Sequence, residues 1–232
     1  MFESGTNGRS PQIDWLELLN TVTNFILFNL LWLFGSLLIV TIPAMTAALF
    51  AAVAPWARGQ SPNAPLSSFC TAVRRYWFKA TMMGIIDLVL GGLIVLNLLA
   101  VQRMGFEQFI AVPAFTLTVL FGVFLLVVNV YAWPLLVTLD QPLCSLLKNG
   151  LRLAVVHPFW GVLVALVVIA LFLVSLFLPR MTLLTISFAA AALITYWGAW
   201  RIMQRYLDED DLKMLGFDQA EQAVEVVGDE QT

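Results

Sequence analysis

Asp87 is the ionisable residue set well inside an apolar run of this chain, Ala80–Val101. A carboxylate at the centre of a bilayer costs about 2.5–3.5 kcal/mol on insertion scales, so such a residue is a functional candidate by default. Gly84 and Gly91 fall on its helical face, and small residues there let a second helix approach. No basic residue accompanies it. The expected partners are the asparagines of other apolar segments, Asn24, Asn29, Asn97 and Asn129. Two roles fit: a hydrogen-bonded packing residue, or a site for a solute, a proton or a conformational switch. Asn20, Asn24 and Asn29 with Trp32 could line a polar cavity or act as helix–helix glue.

Signals of catalysis are absent elsewhere. The single histidine, His157, precedes Pro158, and there is no HExxH, GxSxG or Walker A pattern. Asp140 sits at a helix end without the context of an intramembrane aspartyl protease. Cys70 and Cys144 have no CxxC neighbours and form neither a disulfide framework nor a metal site. The expectation is a non-enzymatic protein with no cofactor and no metal.

The elements that position these residues follow from composition. Of 232 residues, 60% are hydrophobic and 12% charged, and the mean hydropathy is +0.88. Soluble domains run near 45–50% apolar and about 25% charged. That contrast excludes a disordered chain, a nucleic-acid binder and an ordinary cytosolic enzyme. The expected fold is all-α: a polytopic helical membrane protein. Five long segments, Thr21–Ile42, Ala80–Val101, Phe109–Leu139, Phe159–Leu178 and Thr182–Ile202, each reach the roughly 20 residues that span a bilayer core. Their continuous apolarity excludes barrel strands. Pro43 splits off Ala44–Trp56 as a short, tilted or re-entrant helix, or a sixth span. A polar N-terminal segment (1–18) lacks the pattern of a secretory signal. A membrane domain (19–202) follows it, and an acidic tail (203–232) comes last.

The tail carries a net −7 and the remainder +4, so the overall −3 misrepresents both parts. The Asp208-Glu209-Asp210-Asp211 run reads as a solvated end or as a tag for a basic partner. With five spans, nine cations fall on one side of the bilayer and Arg9, Arg103 and Arg180 on the other. The positive-inside rule then puts the nine, and the C-terminus, in the cytoplasm of a cell-membrane protein, with the N-terminus outside. A sixth span would bring the N-terminus inside. Two of the cytoplasmic stretches are amphipathic. In Leu66–Lys79 the apolar face is Leu66, Phe69, Cys70, Val73 and Trp77, with Arg74, Arg75 and Lys79 opposite. In Leu143–Val156 it is Leu143, Leu146, Leu147 and Leu151, while Lys148 and Arg152 pair at i, i+4. Both read as interfacial helices, and their cations as candidates for docking a partner. A shift of 77 residues aligns Trp56 with Trp133, Pro65 with Pro142, Arg75 with Arg152 and Gly84 with Gly161. That suggests a tandem repeat over about 21–101 and 109–178, with 182–202 as an added helix.

Several of these residues resemble a known pattern. Asn29-Leu30-Leu31-Trp32, then Thr41-Ile42-Pro43-Ala44 and Ala47-Ala48-Leu49, resemble the opening signature of the YesL-like family of bacterial membrane proteins of unknown function. Phe69–Lys79, Tyr131-Ala132-Trp133-Pro134-Leu135 and Asn149-Gly150-Leu151-Arg152 up to Pro158 follow in the family's order. The chain departs where the family often has a glycine before the proline, and again in its long acidic tail. The resemblance implies an accessory or regulatory role beside a carbohydrate-uptake ABC transporter or its sensor kinase. It supplies no catalytic residues. The alternative is a small stand-alone transporter or channel that uses Asp87 and the membrane asparagines.

Overall fold

A computed structural model describes residues 15–60, 65–105, 108–139, 141–177 and 186–207. Arg9, Asp140, Arg180 and the tail from Asp208 lie outside these, as do the first residues of the expected last span. Among the described residues there are seven α-helices and no strand: α1 (Trp15–Gly35), α2 (Ile42–Ala57), α3 (Pro65–Met104), α4 (Ala111–Thr138), α5 (Leu143–Val156), α6 (Pro158–Phe177) and α7 (Phe188–Met203). A 3-10 turn, Ile39–Thr41, precedes α2. Four stretches are long and apolar enough to cross a membrane: Ile39–Ala57, Leu66–Met104, Ala111–Thr138 and Pro158–Phe177. The protein is a helical membrane protein.

Proline and glycine set most of the boundaries. Pro43 lies in the first turn of α2, and Pro65 and Pro158 open α3 and α6, where a missing N–H is harmless. Gly59 (φ 77°) and Gly105 (φ 81°) close α2 and α3 in the left-handed conformation. After α2 the bonds Gly59 N–H to Trp56 O (3.0 Å) and Gln60 N–H to Pro55 O (2.8 Å) complete a Schellman cap.

The first expected boundary moves. The apolar run from Thr21 breaks at Gly35, not at Pro43, because proline at a helix start does not interrupt the helix. The exposed apolar turn, Leu37 to Val40, bonds part of its own backbone: Leu37 N–H to Phe34 O, Thr41 N–H to Leu38 O (2.8 Å), with the Thr41 hydroxyl turned to the carbonyls of Gly35 and Leu38.

α1 and α2 form an antiparallel hairpin. Trp32 donates to Thr46 Oγ1 near the turn (3.1 Å), and Phe25 stacks on Trp56 at the far end (4.8 Å between centroids). Arg58, just past α2, lies 6.0 Å from the Trp200 ring near the end of α7. The start of α1 and the ends of α2 and α7 therefore share one end of the bundle. α3 and α4 are antiparallel through Asn97–Thr118, Asp87–Asn129 and Tyr76–Val137. α6 and α7 are antiparallel through Trp160–Gly198 and Ser175–Ser187. Consequently Arg58, Arg74, Arg75, Lys79, Lys148, Arg152, Arg201 and Arg205 gather at one end of the bundle, and Arg103 alone among the described cations lies at the other.

α2 is the hub. Ala44, Ala47, Ala48, Ala52 and Val53 are buried between α1, α3, α4 and α7, where small side chains allow close packing.

Both amphipathic stretches are corrected. Leu66–Lys79 is no separate helix lying on the membrane, because nothing between Lys79 and Gly84 interrupts the backbone ladder. It is the first part of the 40-residue α3, about 60 Å long. Its buried face is Phe69, Ala72, Tyr76 and Ala80, while Leu66, Cys70 and Trp77 are exposed. α5 is a separate helix, since Pro158 holds His157 out of helical geometry (φ −125°, ψ 54°). It buries Leu146, Gly150, Leu153 and Ala154, with Leu151 exposed. Ala132 of α4 fits against Gly150. Under the 77-residue shift Phe69, Tyr76 and Gly84 fall on Leu146, Leu153 and Gly161, and all six pack against neighbouring helices.

Candidate functional site

Asp87 of α3 faces α4. Asn129 Nδ2 donates to Asp87 Oδ1 (3.0 Å) and to the Leu125 carbonyl (3.1 Å), while Asn129 Oδ1 accepts from Trp133 Nε1 (2.8 Å). A carboxylate, a carboxamide and an indole thus form one chain of hydrogen bonds across α3 and α4. The spacing Asn129–Trp133 is one helical turn, which stacks the two side chains on one face. Gly84 permits the approach that brings α3 into place: a Cβ there would overlap the Pro43 ring of α2. Gly91, expected to play a similar part, has no neighbour within 4 Å.

The far side of this chain borders a cavity of about 300 Å³ between α1, α2, α4, α6 and α7. Asn129 and Trp133 line it; Asp87 does not. Its other walls include Trp32, Phe50, Val168 and Phe188. Trp32 stacks on Phe188 (4.2 Å) and Phe50 on Trp133 (6.3 Å). The indole N–H groups of Trp32 and Trp133 are already bonded to Thr46 and Asn129. The cavity therefore presents mainly aromatic and aliphatic surface, with Thr46 and Thr195 adding hydroxyls.

The other asparagines are dispersed. Asn97 donates to Thr118 Oγ1 (2.7 Å) near the opposite end of the α3–α4 pair. Asn29, fully buried, accepts from the backbone N–H of Ala189 (3.0 Å) in the first turn of α7. That is the service an N-cap side chain performs, supplied here from another helix. Asn24 is buried on α1. Only Asn129, of the four, meets Asp87. Of the candidate docking cations, Arg74, Arg75, Lys148 and Arg152 are exposed and Lys79 half-buried. Arg75 also lies 5.5 Å from the Tyr76 ring.

Sequence reasoning missed the cavity's aromatic walls, because no local pattern distinguishes Phe50 and Phe188 from other apolar residues of their helices. It also missed a polar layer at the cation-rich end. Tyr196, fully buried, bonds Thr138 (2.8 Å), and Tyr76 donates to the Val137 carbonyl (3.1 Å). Tyr131 donates to the His157 carbonyl (2.9 Å), and His157 Nε2 pairs with the Tyr206 hydroxyl (2.9 Å). Arg58 Nε is buried there without a hydrogen-bond partner among the described residues.

Residues 25–98, from the middle of α1 to near the end of α3, match a family described as a protein of unknown function, DUF624. The resemblance read from the sequence is thereby borne out. The uncharacterized protein YteU of Bacillus subtilis (strain 168) is 28% identical over 178 residues, which cover 75% of this chain and 77% of YteU. No solved structure matches. The matched segment contains most of the α1–α2 hairpin, Pro43, Gly84 and Asp87. Asn129 and Trp133 lie beyond it, so the site joins that segment to the rest of the membrane domain.

Proposed function

We propose that this protein is a non-enzymatic, accessory or regulatory membrane component that works by contact with another membrane protein. Its partner is a carbohydrate-uptake ABC transporter or the sensor kinase of such a system, as the YesL-like resemblance implies. The observation that carries the reading is the pairing of Asp87 with Asn129. The one described carboxylate in the heart of the bundle is spent on a helix–helix contact, and the adjoining cavity is walled mainly by aromatic and aliphatic side chains. A solute path for a sugar needs a line of open donors and acceptors. Asn97, Asn29 and Asn129 each bond within the bundle instead. The cations gathered at one end supply a surface for a partner, and on the positive-inside rule that end, with the C-terminus, faces the cytoplasm.

Affinity purification of the full chain from native membranes, after crosslinking, tests this. Transporter subunits or a kinase should co-purify, and charge reversal at Arg74 and Arg75 should release them. Sugar uptake by proteoliposomes holding this chain alone would overturn the reading in favour of a stand-alone transporter.

A further inference from the structure

A second cavity, of about 210 Å³, opens at the cation-rich end, where α4 and α7 finish and α5 crosses. Its lining mixes polar side chains, Arg152, Asn149, Gln141 and Tyr206, with apolar ones, among which Val156 is exposed and Leu139 and Leu207 half-buried. Arg152 is exposed, and no described carboxylate or carbonyl bonds its guanidinium. Asn149 Nδ2 donates to Gln141 Oε1 (2.8 Å), a bond that uses the oxygen of Gln141 and leaves its amide N–H groups available. A guanidinium fork beside free amide donors is an oxyanion receptor. The apolar side chains in the same lining suit a glycerol and the first carbons of an acyl chain. Basic pockets between membrane helices at such a level recognise lipid head groups.

We propose that this cavity holds the headgroup of an anionic phospholipid, its phosphate on Arg152 and its acyl root against Val156 and Leu207. The site is separate from the Asp87 chain and does not depend on the accessory role.

The test uses the full chain in neutral detergent and reads bound lipid by native mass spectrometry and melting temperature by light scattering. Phosphatidylglycerol should bind and raise the melting temperature more than phosphatidylcholine with the same acyl chains. R152Q should lower that preference about five-fold, in line with one cation at a lipid surface, without changing the lipid-free melting temperature. R152K should keep part of the preference, having the charge without the fork. K148Q, which removes a charge from the same helix outside the cavity, should keep nearly all of it. Equal losses in R152Q and K148Q would overturn the proposal, as diffuse attraction is then enough. So would equal binding of the two lipids, or protection by inorganic phosphate alone as strong as that by phosphatidylglycerol. A preference that emerged only after Asp208, Glu209, Asp210 and Asp211 were neutralised would also overturn it, since the tail would then be the occupant in the intact chain.

Discussion

Asn129 donates to the carboxylate of Asp87 across 3.0 Å and accepts from Trp133 across 2.8 Å. The carboxamide is the middle member of the chain. Asp87→Asn preserves a polar partner for Asn129 and should change stability little. Asp87→Ala leaves the Asn129 amide without its acceptor on α3 and should cost about 1–3 kcal/mol. Asn129→Leu should cost at least as much, because it removes a donor to Asp87 and the acceptor of the Trp133 N–H. Unfolding in detergent, followed by tryptophan fluorescence, measures all three. An Asp87→Ala protein as stable as the parent would remove the carboxylate from the packing of α3 on α4.

Gly84 and Gly91 look alike in sequence, one helical turn to either side of Asp87, yet only Gly84 has a neighbour against it. Gly84→Leu drives a side chain into the Pro43 ring and should destabilise by about 1–3 kcal/mol or more. Gly91→Leu should be neutral or slightly stabilising, since leucine favours a helix over glycine by up to about 1 kcal/mol. Comparing the melting temperatures of the two variants decides it. Equal effects would mean that α2 does not pack on α3 at Gly84.

Asn29 caps the backbone of α7 from α1, through the Ala189 N–H. Asn29→Leu should cost about 0.5–2 kcal/mol, the usual range for a lost cap. The loss should loosen the start of α7 first. Hydrogen exchange at Ala189 and the residues after it should speed up in the variant, while exchange in α3 stays as it was.

The hairpin of α1 with α2 carries a topological consequence. Cys70 at the start of α3 and Cys144 at the start of α5 are both exposed, on elements at the cation-rich end. A membrane-impermeant maleimide should label both from one side of sealed vesicles. With these two replaced by serine, Arg205→Cys should be labelled from that side and Arg103→Cys from the opposite side. Labelling of Arg103→Cys and Arg205→Cys from the same side would contradict the antiparallel order of α3 to α7.

Much of the architecture was legible in residue types alone. Continuous apolar runs can satisfy their backbone only as helices in lipid, so α3, α4 and α6 follow from composition. The ends of α5 follow from Pro142 and Pro158. Asp87 stands out because charge inside an apolar helix is expensive. Boundaries were misread where a local rule had two outcomes. Pro43 can end one helix or begin the next, and the left-over N–H groups of the first turn made the second outcome the stable one. Lys79–Ala80 marks a change of polarity, but a backbone ladder does not break at a change of polarity, so α3 runs through it. Which stripe of α3 and α5 is buried depended on what packed against each.

The sequence by itself determined that this is a helical membrane protein, with its cations separated from its anionic tail and one costly carboxylate in its interior. Only the tertiary structure decided which asparagine answers that carboxylate. Asn24, Asn29, Asn97 and Asn129 are chemically equivalent, and the choice among them is made by the antiparallel register of α3 on α4. The same holds for the two cavities. Each is assembled from side chains far apart in the chain, so its shape and lining are properties of helix packing that no local pattern encodes.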